Sequence, residues 1–77
     1  MDYKYDRILG QNIRRLREKQ NMTQEQLAAK LQVDGCDITR SALAKLEAGQ
    51  RHFYAKEINA LHRILEVSYD ELFQIIG

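Results

Sequence analysis

The sequence predicts an all-α fold: five short helices in a single domain over residues 1–77, with a core from about residue 5 to residue 76. Apolar residues recur at spacings of three and four in five successive segments, which is the period of a helix with one buried face. The 77 residues contain no proline and only four glycines, so few positions interrupt a helix. No segment alternates apolar and polar residues as a half-buried strand does.

The first helix is predicted from about Tyr5 to Gln20. Its apolar residues form one stripe along the helix, made by Ile8, Leu9, Ile13 and Leu16. Asn21 then supplies a residue that tolerates the left-handed conformation at a helix end. We expect this helix to pack on the core through the stripe and to expose its basic residues.

The second helix has the clearest start. Thr23 and Gln26 match a capping box, in which each side chain hydrogen-bonds the other residue's backbone N–H. The helix runs to Leu31, and its inner face comprises Leu27, Ala28 and Leu31. A turn-rich stretch follows over residues 32–37.

The third helix is predicted to start after the N-cap Thr39 and to run to Ala48, where Gly49 ends it. Leu43 and Leu46 face inward, and residues 50–54 form a connector. The fourth helix spans about residues 55–66, with an inner face made by Ile58, Leu61, Ile64 and Leu65.

The fifth helix opens at the cap Ser68 and runs to Gly77. It is more apolar than one short helix needs to bury, through Tyr69, Phe73, Ile75 and Ile76. Two interpretations stay open. Either all four side chains pack on the core, or some of them form a dimer contact.

Charge is distributed unevenly along the chain, although the net charge at pH 7 is only +1. Residues 7–56 contain ten Lys/Arg against five Asp/Glu, whereas residues 57–77 contain one against four. This asymmetry suggests that one face meets a polyanion. No apolar run approaches the roughly 20 residues of a membrane span, and the first residues lack the pattern of a signal peptide. We therefore expect a cytoplasmic protein with no membrane partner.

Candidate catalytic and metal-binding groups are sparse. The lone Cys36 has no Cys-x-x-Cys partner or nearby histidine, so we interpret it as a small side chain in a loop rather than a reactive thiol. His52 and His62 belong to no Cys/His cluster at ligand spacing. No nucleophile–base set or glycine-rich phosphate loop is present. We expect no metal, no cofactor and no enzyme activity.

Two short helices in succession, Thr23–Leu31 and Thr39–Ala48, are typical of a helix-turn-helix, whose second helix enters the major groove of DNA. That helix must hold an apolar face on the domain and carry base-contacting groups outside. Its first turn carries Arg40, Ser41 and Ala42, with Ala44 and Lys45 one turn further. Periodicity alone does not separate this interpretation from any small helical bundle with solvated polar faces.

Four blocks in order, at residues 13–18, 22–31, 38–51 and 65–73, resemble the Cro/C1 type of helix-turn-helix, also called the XRE family. The resemblance covers about residues 8–73. It implies a five-helix, lambda-repressor-like bundle that binds double-stranded DNA. It also implies a transcription regulator, more often a repressor, acting as a homodimer on a palindromic operator.

The resemblance further implies a role for particular residues. Thr39 caps the recognition helix, and Arg17 and Glu47 form a partly buried ion pair. The base-reading positions are Arg40, Ser41 and Lys45, with Ala44 alongside. The phosphate contacts implied are Thr23, Gln24, Gln50 and Arg51, and we add Arg14 and Arg15 from their place on the first helix.

One departure concerns the turn between helices two and three. The motif's usual turn is roughly three residues, whereas seven residues, 32–38, separate Leu31 from Thr39 here. Because the loop contains Asp34 and Asp37, we expect it to point away from DNA. An alternative function is a protein-interaction module, such as an antitoxin or the dimerisation domain of a regulator.

Overall fold

The computed structural model describes residues 3–75 and confirms the all-α prediction. Its five helices are α1 (Lys4–Lys19), α2 (Gln24–Val33), α3 (Arg40–Glu47), α4 (Ala55–Leu65) and α5 (Tyr69–Phe73). The longest helix, α1, packs against α3, α4 and α5, while α2 packs against α3 and α4. As a result α2 and α3 lie side by side on one flank of the bundle.

The core is built from the predicted inner faces of the helices. Ten of the predicted positions are buried, and so is Ile38 in the turn before α3; the ten are Leu9, Ile13, Leu16, Leu27, Ala28, Leu31, Leu43, Leu46, Leu61 and Leu65. Ile58 and Ile64 are half-buried and pack against this core. Apolar area removed from water is the main stabilising contribution in such a bundle, at roughly 25 cal/mol per Å².

Four helices end in the same way, through a left-handed residue that closes two backbone hydrogen bonds across the last turn. At α1 this residue is Asn21, with φ 58°, as the sequence predicted. Its N–H donates to the Glu18 carbonyl, and the next N–H, of Met22, donates to the Arg17 carbonyl. The left-handed residues at the ends of α2, α3 and α4 are Gly35, Gly49 and Glu66.

The turn between α2 and α3 is shorter than expected, because α2 continues to Val33 and leaves five residues, 34–38, before Thr39 instead of seven. Gly35, with φ 87°, allows the N–H of Cys36 to reach the Leu31 carbonyl at 2.8 Å. The Gln32 side chain donates to the Ile38 carbonyl at 2.9 Å. These hydrogen bonds therefore hold the turn in a defined conformation against the core.

Cys36 lies in this turn, as predicted, but its side chain is buried in the core. Burial raises the pKa of the Cys36 thiol, because the thiolate would be poorly solvated there. The protonated thiol behaves as a small apolar side chain.

The fifth helix is shorter than predicted. It ends at Phe73, and Gln74 is already extended, with φ −61° and ψ 129°. The buried side chain of Asn12 donates to the carbonyls of Leu72 and Gln74 at 2.7 and 2.8 Å. Carbonyls at the end of a helix have no partner within the helix. Asn12 supplies hydrogen bonds to the carbonyls of Leu72 and Gln74, so they do not need the N–H groups of a further helical turn. Ile76, which the sequence placed in this helix, lies outside the described residues.

Gly10 allows α1 and α3 to approach closely. A Cβ atom at this position would lie against the Leu46 carbonyl oxygen and 2.9 Å from the Glu47 carbonyl oxygen. These are backbone atoms, which cannot turn aside as a flexible side chain can. The glycine therefore sets the distance between the longest helix and α3.

Candidate nucleic-acid interface

The predicted base-reading residues lie together on the outer face of α3. Arg40, Ser41 and Lys45 are exposed and Ala44 is half-buried. Residues three and four apart share a helix face, so these four side chains form one continuous stripe. The opposite face, with Leu43 and Leu46, is fully buried.

The start of α3 is fixed by its cap. The Thr39 hydroxyl accepts the backbone N–H of Ala42 at 3.1 Å, which confirms the predicted N-cap. Such a cap contributes about 1 kcal/mol to helix stability. The cap also fixes the position of the first turn of α3, and with it the positions from which the Arg40 and Ser41 side chains extend toward a ligand.

An open, polar groove of about 540 Å³ lies between α1, α2 and α3. Its lining side chains are Arg14, Arg17, Thr23, Gln24, Glu25 and Arg40. Three elements therefore line the groove: the first turn of α2, the first residue of α3 and an arginine-bearing face of α1. Helix N-termini carry partial positive charge, so both helix starts favour an anion at this opening.

The start of α2 is also capped as predicted. The Thr23 hydroxyl accepts the Gln26 N–H at 3.1 Å, and the Thr23 N–H donates to the Gln26 side chain at 2.8 Å. The half-buried Gln24 donates one amide hydrogen to Glu47 at 3.1 Å. Because a glutamine amide carries two hydrogens, the second remains for an acceptor in the groove.

Arg17 and Glu47 form the predicted ion pair, and both side chains are buried. The Arg17 Nε and Nη2 donate to Glu47 at 2.7 and 3.0 Å, and Nη1 donates to the Met22 carbonyl at 2.7 Å. The hydrogen bond to Glu47 raises the pKa of Arg17, so the guanidinium stays charged. Together with Gln24, this pair connects α1, α2 and α3 behind the groove.

The two α1 arginines that were predicted to contact phosphate face different surfaces. Arg14 lines the groove and makes an exposed pair with Glu18 at 3.5 Å. Arg15 instead lines a smaller groove of about 230 Å³ near the end of the described chain, beside Ile8 and Ile75. The structure thus places Arg14 with the candidate interface and Arg15 away from it.

The connector after α3 contains the other two predicted phosphate contacts. Gln50 is exposed. Arg51, however, makes an ion pair with Glu57, a buried residue of α4 that sequence reasoning missed. The signal available in the sequence was the position of Glu57 three residues after Tyr54, where a side chain can cap the helix start.

A family model described as helix-turn-helix, of the Cro/C1 type, matches residues 13–72, most of the chain. The chain belongs to this helix-turn-helix family. Its members are DNA-binding domains of transcription regulators, and the family is not one of enzymes. No curated protein and no solved structure matched the chain in the other two comparisons.

The four residues predicted for a dimer contact in this helix-turn-helix protein are placed differently from one another. Tyr69 stacks on the His62 ring, with centroids 3.9 Å apart. Phe73 and Ile75 are 45% and 70% exposed, and the fourth, Ile76, is outside the described residues. The groove beside Ile75 also contains Ile8.

The histidines make contacts within the chain. His52 pairs with Asp6, and His62 stacks on Tyr69. Within residues 3–75, no three His, Cys, Asp or Glu side chains come together so as to hold a metal ion. Over the same residues, no helix is both long and apolar enough to cross a membrane.

Proposed function

We propose that this helix-turn-helix protein binds double-stranded DNA in a sequence-specific manner, with α3 in the major groove. The observation that carries the proposal is the exposed stripe of Arg40, Ser41, Ala44 and Lys45 on a helix whose other face is locked in the core. Arginine and lysine bind guanine O6 and N7, serine bonds to either kind of base, and alanine accommodates a thymine methyl.

Phosphate contacts would position α3 on the duplex without reading sequence. Arg14, Thr23 and Gln24 support this role because all three line the groove beside Arg40. Gln50, which is exposed just past the end of α3, is a further candidate for a phosphate contact. Because each neutralised phosphate releases counterions, affinity should fall steeply with salt.

We further propose that the protein acts as a homodimeric repressor at a palindromic operator. Two-fold dimers of helix-turn-helix domains read two half-sites one helical turn apart. The apolar side chains available for the two-fold contact are the exposed Phe73 of α5 and the exposed Ile75, which lines a groove together with Ile8. Occupying an operator would exclude other proteins from the same DNA.

Selection of bound sequences from a random DNA pool, followed by gel-shift titration, tests the proposal. The expected result is an enriched motif with two inverted halves, bound at least 1,000-fold more tightly than random DNA. A folded chain that enriches no motif would overturn the proposal and favour the protein-interaction module.

A further inference from the structure

The connector Gln50–Tyr54 has no regular secondary structure, yet a carboxylate from α1 holds its middle. Asp6 accepts the backbone N–H of Phe53 at 3.1 Å through Oδ1. Its other oxygen, Oδ2, is hydrogen-bonded to the Nδ1 of His52. One carboxylate therefore fixes both a backbone group and a side chain of adjacent residues.

A second carboxylate, from α4, holds the connector in the same way. Glu57 Oε1 accepts the backbone N–H of Tyr54 at 2.9 Å. The Arg51 guanidinium donates Nη1 and Nη2 to the two oxygens of Glu57 at 3.1 and 2.8 Å. The same guanidinium lies over the Tyr54 ring, 5.4 Å from its centroid.

Arg51 is therefore engaged on two sides. Its side chain is 32% exposed and that of Glu57 only 8% exposed. A bidentate pair with a nearly buried carboxylate fixes the guanidinium plane and gives it strong hydrogen bonds. Moving Arg51 to a phosphate would leave the Glu57 charge without its cation in a poorly solvated position.

We propose that Asp6 and Glu57 are positioning residues for DNA binding, which together clamp the connector. The clamp holds residues 51–54 and so sets the direction in which the chain leaves Gln50, whose own N–H donates to the Lys45 carbonyl at 2.9 Å at the end of α3. We infer that this direction brings the Gln50 side chain to a phosphate. Arg51 acts through the shape of the connector and makes no phosphate contact of its own. This inference rests on the proposed DNA-binding function.

The dependence of affinity on salt separates a clamp from a direct contact. In a clamp, Arg51→Gln weakens cognate and random DNA alike, by ~10-fold, with the wild-type salt slope. If Arg51 contacts a phosphate, the slope of log affinity against log salt falls by about 0.9. A slope reduced by that amount would overturn the proposal.

For Glu57→Gln, a clamp and a direct phosphate contact by Arg51 predict opposite changes in DNA affinity. A clamp predicts weaker binding, ~10-fold at fixed salt, because the connector loses its charged anchor. A direct contact predicts tighter binding, because Arg51 is released and one negative charge is removed. The matched control is Glu71→Gln, an exposed position on α5 with the same charge change, which should change affinity less than twofold.

A double-mutant cycle with Gln50→Ala distinguishes positioning from a general loss of stability. If Glu57 acts by placing Gln50, the effect of Gln50→Ala should nearly vanish in the Glu57→Gln background. A merely structural role gives additive losses and contradicts the clamp. All titrations are made where circular dichroism shows every variant folded. If Glu57→Gln does not fold, Asp6→Asn replaces it in the same cycle, with the same expected coupling to Gln50→Ala.

The wild-type titration separates the two proposals. Wild-type protein that selects no DNA sequence overturns the proposed function, and the clamp with it. Wild-type protein that binds a selected sequence, combined with a reduced slope for Arg51→Gln or tighter binding by Glu57→Gln, overturns the clamp alone.

Discussion

At the scale of single residues, the candidate interface divides into side chains that face solvent and side chains that hold them in place. Lys45 is exposed one turn beyond Ser41 on the outer stripe of α3. Glu47, two residues further on, is 5% exposed and belongs to the ion-pair network behind the groove. We therefore expect these neighbours in sequence to affect different measurements: base preference for Lys45 and stability for Glu47.

Lys45→Ala should lower the specificity ratio between the selected operator and random DNA. A good base contact contributes about 1–3 kcal/mol of discrimination, so the ratio should fall roughly 5- to 150-fold. Lys30→Ala is the matched control, because it removes the same charge from an exposed position on α2 outside the groove. Equal losses on operator and random DNA for Lys45→Ala would contradict its role in base reading.

Glu47→Gln should destabilise the fold by about 3–5 kcal/mol, because it leaves the buried Arg17 charge without its anion. Urea denaturation measures the change in the free energy of unfolding. Glu18→Gln is the control, since its pair with Arg14 has both side chains more than half exposed, and such pairs contribute about 0–1 kcal/mol. Similar losses in both variants would contradict the claim that burial makes the Arg17–Glu47 pair important.

Residues that the family pattern identifies could be predicted from the sequence. Residues whose role depends on contacts made only in the tertiary fold could not. The resemblance identified Arg17 and Glu47 as partners, and helix periodicity placed Leu43 and Leu46 inside. Asn12 was not predicted because the carbonyls it binds are 60 and 62 residues away. The local sequence around a polar residue of an amphipathic helix contains no pattern that indicates so distant a hydrogen-bond partner.

At the scale of elements, short-range signals predicted most helix boundaries. Thr23, Thr39 and Ser68 each cap a helix through the predicted side-chain oxygen. The end of α5 was wrong because the fold, through Asn12, satisfies its carbonyls. The left-handed Glu66 at the end of α4 was not predicted, since glutamate rarely adopts that conformation.

Gly10→Ala should destabilise the protein, although alanine is the better helix former. The gain in helix propensity is about 1 kcal/mol. The added Cβ would press on the Leu46 and Glu47 carbonyl oxygens, and forcing apart packed elements costs typically 1–3 kcal/mol.

Thermal unfolding of Gly10→Ala should therefore show a net loss of up to about 2 kcal/mol. The neighbouring exposed position provides the control: Gln11→Ala should change stability by less than about 0.5 kcal/mol. A more stable Gly10→Ala protein would show that α1 and α3 are not in the close contact described.

Glu66→Gly should stabilise the protein by about 0.5–1 kcal/mol. Glu66 has φ 55°, and a non-glycine residue in the left-handed region carries a strain of order 1 kcal/mol, which glycine removes. Glu66→Ala removes the same charge but keeps the strain, so it should give no gain in the free energy of unfolding. Equal stabilities of the two variants would contradict the left-handed end of α4.

At the scale of the whole molecule, four helices support the short helix α3 and leave its outer face exposed. The buried network behind α3, the close approach of α1 at Gly10 and the fastened turn before Thr39 all limit how α3 can move. Residues 7–56 are basic and residues 57–77 are acidic, which agrees with a molecule that turns one face toward a polyanion. The sequence could not predict the path of the connector, because one of its two anchors, Asp6, lies on α1, 46 and 47 residues before the connector residues that it binds.

The most direct test of the central claim, that the outer face of α3 reads DNA, is to map backbone amide shifts by NMR during titration with the selected operator. The largest changes are expected at residues 40–45, with a second group at Thr23 and Gln24. Random DNA at low salt should shift the second group but leave residues 41–45 much less affected. Large changes confined to α4 and α5, with residues 40–45 unchanged, would contradict this claim.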